Sequence, residues 1–115
     1  MNPQTVPSVT VSDLAGELPA GVTLLDVRED DEWAAGHAPT AQHIPLGELA
    51  GRLAELPAEQ PLYVVCRAGG RSARATAYLN ANGWEATNVD GGMKSWQAEG
   101  RPLVGETPGA EPTVI

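Results

Sequence analysis

The stretch Pro61-Leu62-Tyr63-Val64-Val65-Cys66 constrains the fold of this chain more than any other feature. It is apolar almost throughout, which is typical of a strand in a parallel sheet whose two faces are both covered by helices. A segment with two glycines follows at 67–71 and predicts a loop. Ser72 can then cap a helix that runs to about Asn82. A buried strand, a glycine-bearing loop and a helix in this order predict an α/β fold.

Short apolar runs alternate with helical patterns along the rest of the chain. The predicted strands are 23–27, 42–44 and 86–89, and the predicted helices are 29–35, 46–56 and 93–99, with a short helix from Thr10 or Ser12 to Leu18. Strands separated by helices predict a parallel sheet with right-handed crossovers. Functional groups of such sheets gather outside the carboxyl ends of the strands, where Cys66 lies.

The length and charge of the chain limit its domain count and its partners. With 115 residues the chain suffices for one domain, which we place at 8–104. Residues 1–7 and 105–115 are rich in Pro, Gly, Thr and Glu and are predicted to be loose tails. The net charge of −8 argues against a nucleic-acid partner, because general nucleic-acid binders usually have a basic surface.

Other features of the sequence concern the compartment and metals. No apolar run approaches the roughly 18 residues of a membrane helix, and the N-terminus shows no secretory signal. We therefore expect a cytoplasmic protein with no membrane partner. The single cysteine forbids an internal disulfide and a cysteine-rich metal site. His37 and His43 lack further ligands at suitable spacing, so both are predicted to be structural and no metal is expected.

Positive charge is concentrated beside the cysteine. Arg67, Arg71 and Arg74 follow Cys66 with no acidic residue among them. A small basic region on an acidic chain suggests a small anionic substrate rather than a polyanion. Arginines on an ordinary helix and loop surface would give the same pattern, and charge alone does not separate these interpretations.

The loop after the strand has the chemistry of an activated nucleophile. Its glycines allow the backbone to curl, so that several N–H groups point at one place, and the following helix adds positive potential there. Such surroundings lower the pKa of a cysteine thiol. The alternative is a cysteine that merely fills the core, but a core residue needs neither the glycines nor the arginines. The predicted catalytic residue is Cys66, and the predicted substrate-binding residues are Arg67, Ala68, Gly69, Gly70, Arg71 and Ser72.

The loop resembles the active-site loop of the rhodanese family. Further segments match this family in order along about 8–103: Leu25-Asp26-Val27-Arg28, Glu32-Trp33, Gly36-His37, His43-Ile44-Pro45, and Gly91-Gly92-Met93 followed by Trp96. The chain departs from the family at Ala38-Pro39-Thr40-Ala41, where a short Gly-Ala turn is usual.

The resemblance implies a fold and a chemistry. The fold is a five-stranded parallel sheet of order 1-5-4-2-3 with helices on both faces. Cys66 would hold a sulfane sulfur as a persulfide, and Arg67 and Arg71 would bind the anionic donor. Asp26 and Arg28 match a pair that is structural and lies near the site. No metal or organic cofactor is implied.

Three functions remain open from the sequence. The first is an enzyme that takes sulfur from a small anionic donor such as thiosulfate and passes it to cyanide or to a thiol or protein acceptor. The second is a persulfide relay that serves a protein partner. The third is a phosphatase or arsenate reductase, which shares the cysteine cradle. Four residues separate Cys66 from Arg71, whereas cysteine phosphatases have five there, and this spacing argues against the third function.

Overall fold

Five parallel strands form one sheet in the computed structural model, which describes residues 6–14, 18, 21–58 and 60–115. The strands are β1 Ser8–Thr10, β2 Thr23–Asp26, β3 Gln42–His43, β4 Leu62–Val65 and β5 Ala86–Asp90. Their order, β1-β5-β4-β2-β3, confirms the predicted one. The apolar strand β4 lies in the middle, where both of its edges are paired.

Within the described ranges, three α-helices connect or follow the strands: α1 Asp30–Ala35, α2 Gly70–Ala81 and α3 Gly92–Ala98. Short 3₁₀ segments occur at Val11–Asp13, Leu46–Gly51 and Leu53–Glu55. The expected α-helix over 46–56 is therefore wrong, because the segment is 3₁₀ and is interrupted at Arg52. Gly47 and Gly51 disfavour an α-helix there, since glycine is a poor helix former.

Of two predicted helix caps, one is confirmed and the other is wrong. Thr10 caps the first 3₁₀ segment as predicted, in a reciprocal arrangement with Asp13. Ser72 does not cap α2. The cap position is Gly69, whose φ of +118° lies in the left-handed region that favours glycine. The hydroxyl of Ser72 is thereby left for another partner.

The sheet has a buried apolar cluster on each face, as a strand period of two requires. Leu25, Val64 and Cys66 belong to the cluster that packs against α2, together with Ala75 and Leu79. The alternate residues of the same strands face the opposite way. The second cluster contains Leu24, Val65, Val89, Met93 and Trp96 and includes α3. Helices on both faces of the sheet thus position its carboxyl edge.

The segment 105–115 lies along α1 and reaches the loop after β4. The N–H groups of Glu106 and Thr113 donate to the carbonyl oxygens of Ala34 and Ala35, and Arg67 Nε donates to the carbonyl oxygen of Ile115. These contacts do not measure motion, so its looseness stays a prediction. Most of the predicted tail 1–7 falls outside the described residues, as do residues 15–17 of the predicted helix to Leu18, whose described start is the 3₁₀ segment Val11–Asp13.

Candidate active site

Cys66 lies directly beyond the carboxyl end of β4 and is only 1% exposed. The chain turns sharply after it, because Gly69 adopts the left-handed conformation that starts α2. The Gly69 N–H donates to Sγ at 3.0 Å, and the Ser72 hydroxyl donates to it at 3.3 Å. The loop therefore forms a cup of donors around the sulfur, at the position predicted from the sequence.

The N-terminus of α3 forms hydrogen bonds with the backbone of this loop. The N–H groups of Met93 and Lys94 donate to the carbonyl oxygens of Cys66 and Arg67 at 2.8 and 2.9 Å. This approach requires glycine at position 92, since a Cβ there would lie 2.3 Å from the Cys66 carbonyl oxygen. The sequence predicted Gly91-Gly92 as a turn into the helix and as part of a matching motif, but its contact with the loop was not predicted.

The pKa of the Cys66 thiol is lowered by its surroundings. Burial raises the pKa, but the hydrogen bond from the Ser72 hydroxyl and those from the backbone of Ser72, Gly69 and Ala68 together outweigh burial. The direction agrees with the sequence prediction. The main cause is the hydrogen bonds to the sulfur, of which those from the loop N–H groups were predicted and that from the Ser72 hydroxyl was not.

Removing the Ser72 hydroxyl is expected to raise the pKa of Cys66. Ser72→Ala removes the hydrogen bond that does most to offset the effect of burial on the pKa of Cys66, while the backbone donors remain. The rate of alkylation by iodoacetamide against pH gives the inflection, which should move upward from the wild-type value. Ser12→Ala is the matched control, because this exposed hydroxyl bonds to Glu99 instead. An unchanged or lower inflection in Ser72→Ala would contradict the cup of donors.

Arg71 reaches back to α1 and forms an ion pair with Glu32. Its Nη1 and Nη2 donate to the two carboxylate oxygens at 2.6 and 2.9 Å. The bond from Arg71 holds the pKa of Glu32 down to about 2, against the opposing effect of burial. The pair therefore stays charged at all pH values well above that. Glu32 was interpreted as a matching motif residue, and its contact with the loop was not predicted.

The other predicted anion-binding arginine is also engaged. Arg67 is exposed and donates from Nε to the carbonyl oxygen of Ile115 at 3.0 Å. A guanidinium has five N–H donors in a planar fork, so Arg67 and Arg71 both keep donors for a further anion. The structure brings both arginines to the cysteine loop, where their role in binding a donor stays a prediction.

Asp26 and Arg28 form the buried ion pair that the resemblance implies. Both side chains are 0% exposed, and Arg28 Nη2 lies 2.8 Å from Asp26 Oδ2. The same nitrogen donates to the Gly36 carbonyl oxygen, which ties the pair to the end of α1. Asp26 is in register with Val65, the residue before Cys66. Among the described residues, neither member of the pair hydrogen-bonds to Sγ, and its purely structural role stays a prediction.

The two histidines pack against one aromatic ring. Trp33 stacks on His37 at 3.5 Å and on His43 at 4.6 Å between ring centroids. Each imidazole also donates to a carbonyl oxygen, that of Trp33 for His37 and that of Arg28 for His43. These contacts support a structural role. Within the described ranges, no group of three or more His, Cys, Asp or Glu side chains could hold a metal ion.

No helix in the part of the chain that the structure describes is both long and apolar enough to cross a membrane.

Comparison with known proteins gives concordant matches. The family model described as "Rhodanese-like domain" matches residues 10–99. A "Sulfurtransferase" of Allochromatium vinosum is 36% identical over 84 residues, which are 72% of this chain and 78% of that protein. "Thiosulfate sulfurtransferase GlpE" of Pseudomonas savastanoi is 35% identical over 79 residues, which are 68% of this chain and 74% of that protein.

A solved structure matches most of the chain. The crystal structure of a rhodanese-related protein from Thermoplasma volcanium is similar with a TM-score of 0.77 and 33% identity. The similarity covers 85% of this chain and 97% of that chain.

Proposed function

Since the chain belongs to the rhodanese-like domain family of sulfurtransferases, we propose that it takes a sulfane sulfur from thiosulfate or a persulfide donor and carries it on Cys66. The observation that carries this proposal is the cup of donors around Sγ, formed by the Gly69 N–H and the Ser72 hydroxyl. Such donors stabilise the attacking thiolate and, after transfer, the negative sulfur of a persulfide.

In the first half of the cycle, the Cys66 thiolate attacks the outer sulfur of thiosulfate. A bond forms between Sγ and that sulfur, and the sulfur–sulfur bond of thiosulfate breaks with its electron pair going to the leaving sulfite. The product on the protein is Cys66–S–S⁻, so atoms and charge balance without an oxidant. Arg67 and Arg71 hold the sulfonate oxygens through the donors that their contacts with Ile115 and Glu32 leave open.

In the second half, an acceptor removes the outer sulfur. Cyanide or a thiolate attacks it, the bond to Sγ breaks, and Cys66 returns to the thiolate. The acceptor is a separate molecule, since the chain has one cysteine and no second thiol to resolve the persulfide. The cycle uses neither a metal nor an organic cofactor.

Two further observations support the details. A relative named a thiosulfate sulfurtransferase is 35% identical to this chain, which supports thiosulfate as the donor. Cys66 is a free thiol that must be reduced for the cycle to start. This need favours the cytoplasm, where thiols are kept reduced.

The direct test is the intact mass of the protein after incubation with thiosulfate and removal of excess reagent. We expect a gain of one sulfur atom that is lost again on addition of cyanide. The same treatment after alkylation of Cys66 should leave the mass of the alkylated protein unchanged. If the native protein gains no sulfur from thiosulfate or from a low-molecular-weight persulfide, the proposal is wrong.

A relay between proteins is the second candidate, and the engagement of the arginines favours it. Glu32 already occupies two donors of Arg71, and the Ile115 carbonyl oxygen occupies one of Arg67. The reduced charge of these arginines weakens the binding of a free dianion such as thiosulfate more than the binding of a persulfide, whose terminal sulfur carries one negative charge. A relay should load faster from a protein persulfide than from thiosulfate, and the mass gain against time with each donor separates the two functions.

A further inference from the structure

Residues 112–115, which we call the strap, lie outside the part of the chain, 10–99, that the family model matches. The strap is anchored first at the end of α1. There the Thr113 N–H donates to the Ala35 carbonyl oxygen at 2.9 Å, which is one of the carbonyl groups that a helix end leaves without an intrahelical partner. Gly36 makes room for this contact, because a Cβ at that position would overlap the Thr113 carbonyl oxygen.

The side chain of Gln97 on α3 provides a second anchor. Its Oε1 accepts from the Val114 N–H at 2.7 Å, and its Nε2 donates to the Thr113 hydroxyl at 3.3 Å. Val114 is partly buried and packs against the apolar cluster that includes α3. Hydrogen bonds and an apolar contact therefore hold the strap against both helices.

A further contact of the strap reaches Arg67, the residue after the proposed nucleophile. The Ile115 carbonyl oxygen accepts from Arg67 Nε at 3.0 Å. A guanidinium binds an anion through two parallel N–H groups, either those of Nε and one Nη or those of both Nη atoms. The contact with Ile115 occupies Nε and leaves only the second mode. It also restrains a long, exposed side chain that has many rotamers when free.

We propose that the strap determines donor specificity: by holding Arg67, it disfavours small anionic sulfur donors such as thiosulfate relative to donors with less negative charge. This inference rests on the proposed function, because it concerns the first substrate of Cys66. Once released from Ile115, Arg67 gains Nε for the sulfonate oxygens, so a looser strap speeds transfer from thiosulfate. The chemical step is unchanged, since the outer sulfur bonds to Sγ and sulfite leaves with the electron pair.

The first test loosens the strap at Thr113. Thr113→Pro has no N–H for Ala35 and no hydroxyl for Gln97. We expect the initial rate of sulfur gain from limiting thiosulfate, followed by intact mass, to rise about fivefold, which is the effect of roughly one hydrogen bond. Thr113→Ser keeps both the N–H and the hydroxyl and is the matched control, so its rate should equal that of the wild type.

A second measurement does not depend on sulfur transfer. Cys66 is alkylated with iodoacetate, which is an anion, or with uncharged iodoacetamide, and the ratio of the two rates reports how well Arg67 attracts an anion. Thr113→Pro should raise this ratio about fivefold, and Gln97→Ala, which removes the other anchor, should raise it as well. Both effects should disappear when Arg67 is also replaced by glutamine, because the strap acts through this residue.

The outcomes separate this inference from the proposed function. If the wild-type protein gains no sulfur from any donor, the proposed function is wrong and donor specificity is wrong with it. If it gains sulfur but Thr113→Pro changes neither the thiosulfate rate nor the alkylation ratio, the inference is wrong and the proposed function stands. A slower gain from thiosulfate in Thr113→Pro would also overturn the inference, since the strap would then position Arg67 for the donor. Equal increases with iodoacetate and iodoacetamide would overturn it by showing that the strap only blocks access.

Discussion

Replacing Cys66 with serine is expected to reduce the formation of thiocyanate from thiosulfate and cyanide by about a thousandfold or more, to the uncatalysed level. The serine hydroxyl is not ionised near neutral pH and cannot hold a sulfane sulfur, so both halves of the cycle are lost. The measurement is the colorimetric assay of thiocyanate under conditions that saturate the wild-type protein.

The serine variant should fold normally, which makes the result interpretable. The Gly69 N–H and the Ser72 hydroxyl that face Sγ can bond to an oxygen in its place. Circular dichroism and thermal unfolding provide the control. A variant that keeps a substantial fraction of wild-type turnover would show that Cys66 is not the nucleophile.

The second expected result concerns the length of the loop. Inserting one glycine between Gly70 and Arg71 should lower sulfurtransferase turnover by about a hundredfold or more. Arg71 and Ser72 stay adjacent but move relative to Cys66, so the Ser72 hydroxyl no longer faces Sγ at 3.3 Å. A displacement of about 1 Å in such a site can cost on the order of a hundredfold in rate. Steady-state assays with thiosulfate and cyanide measure the loss.

An insertion at the other end of α2 is the matched control. A glycine added between Asn82 and Gly83 follows the last residue of the helix, Ala81, and lies away from the cup. It should leave turnover within about a factor of two of the wild type. Equal losses from both insertions would show that general damage to α2 causes the effect, and that loop length does not.

The same pair of proteins tests the phosphatase alternative. The inserted loop has the five-residue spacing of cysteine phosphatases, whereas the native loop is too short for the three outer oxygens of a phosphoryl group. We therefore expect no hydrolysis of an aryl phosphate by the native protein. Efficient hydrolysis that depends on Cys66 in the native protein would overturn the assignment in favour of a phosphatase.

The parts of the structure that were predictable from the sequence are those with a local signal. The apolar run of β4 predicts a strand with both faces covered by helices, and the glycines after Cys66 predict the loop. The strand order came from the resemblance to a family, because local patterns do not specify which strands are neighbours. The leucines of 46–56 repeat at helical spacing and so predict an α-helix, but the glycines within the segment disfavour one.

The contacts that position the site were mostly beyond prediction because they are long-range. Glu32 and Arg71 are 39 residues apart, and the acids of α1 looked like ordinary groups near a helix N-terminus. The Arg67 contact with Ile115 spans 48 residues. Ser72 did carry a local signal, which was interpreted as a helix cap. The actual cap, Gly69, was recognised only as a loop glycine.

The hydrogen bonds from α3 to the loop bear on how charge is handled over a whole turnover. Met93 and Lys94 occupy the carbonyl oxygens of Cys66 and Arg67, while the donors of the loop remain with the sulfur. A thiolate and a deprotonated persulfide each carry one negative charge, so the same donors serve both resting states. On the proposed function, the protein itself therefore takes up no proton when sulfur arrives and releases none when sulfur leaves.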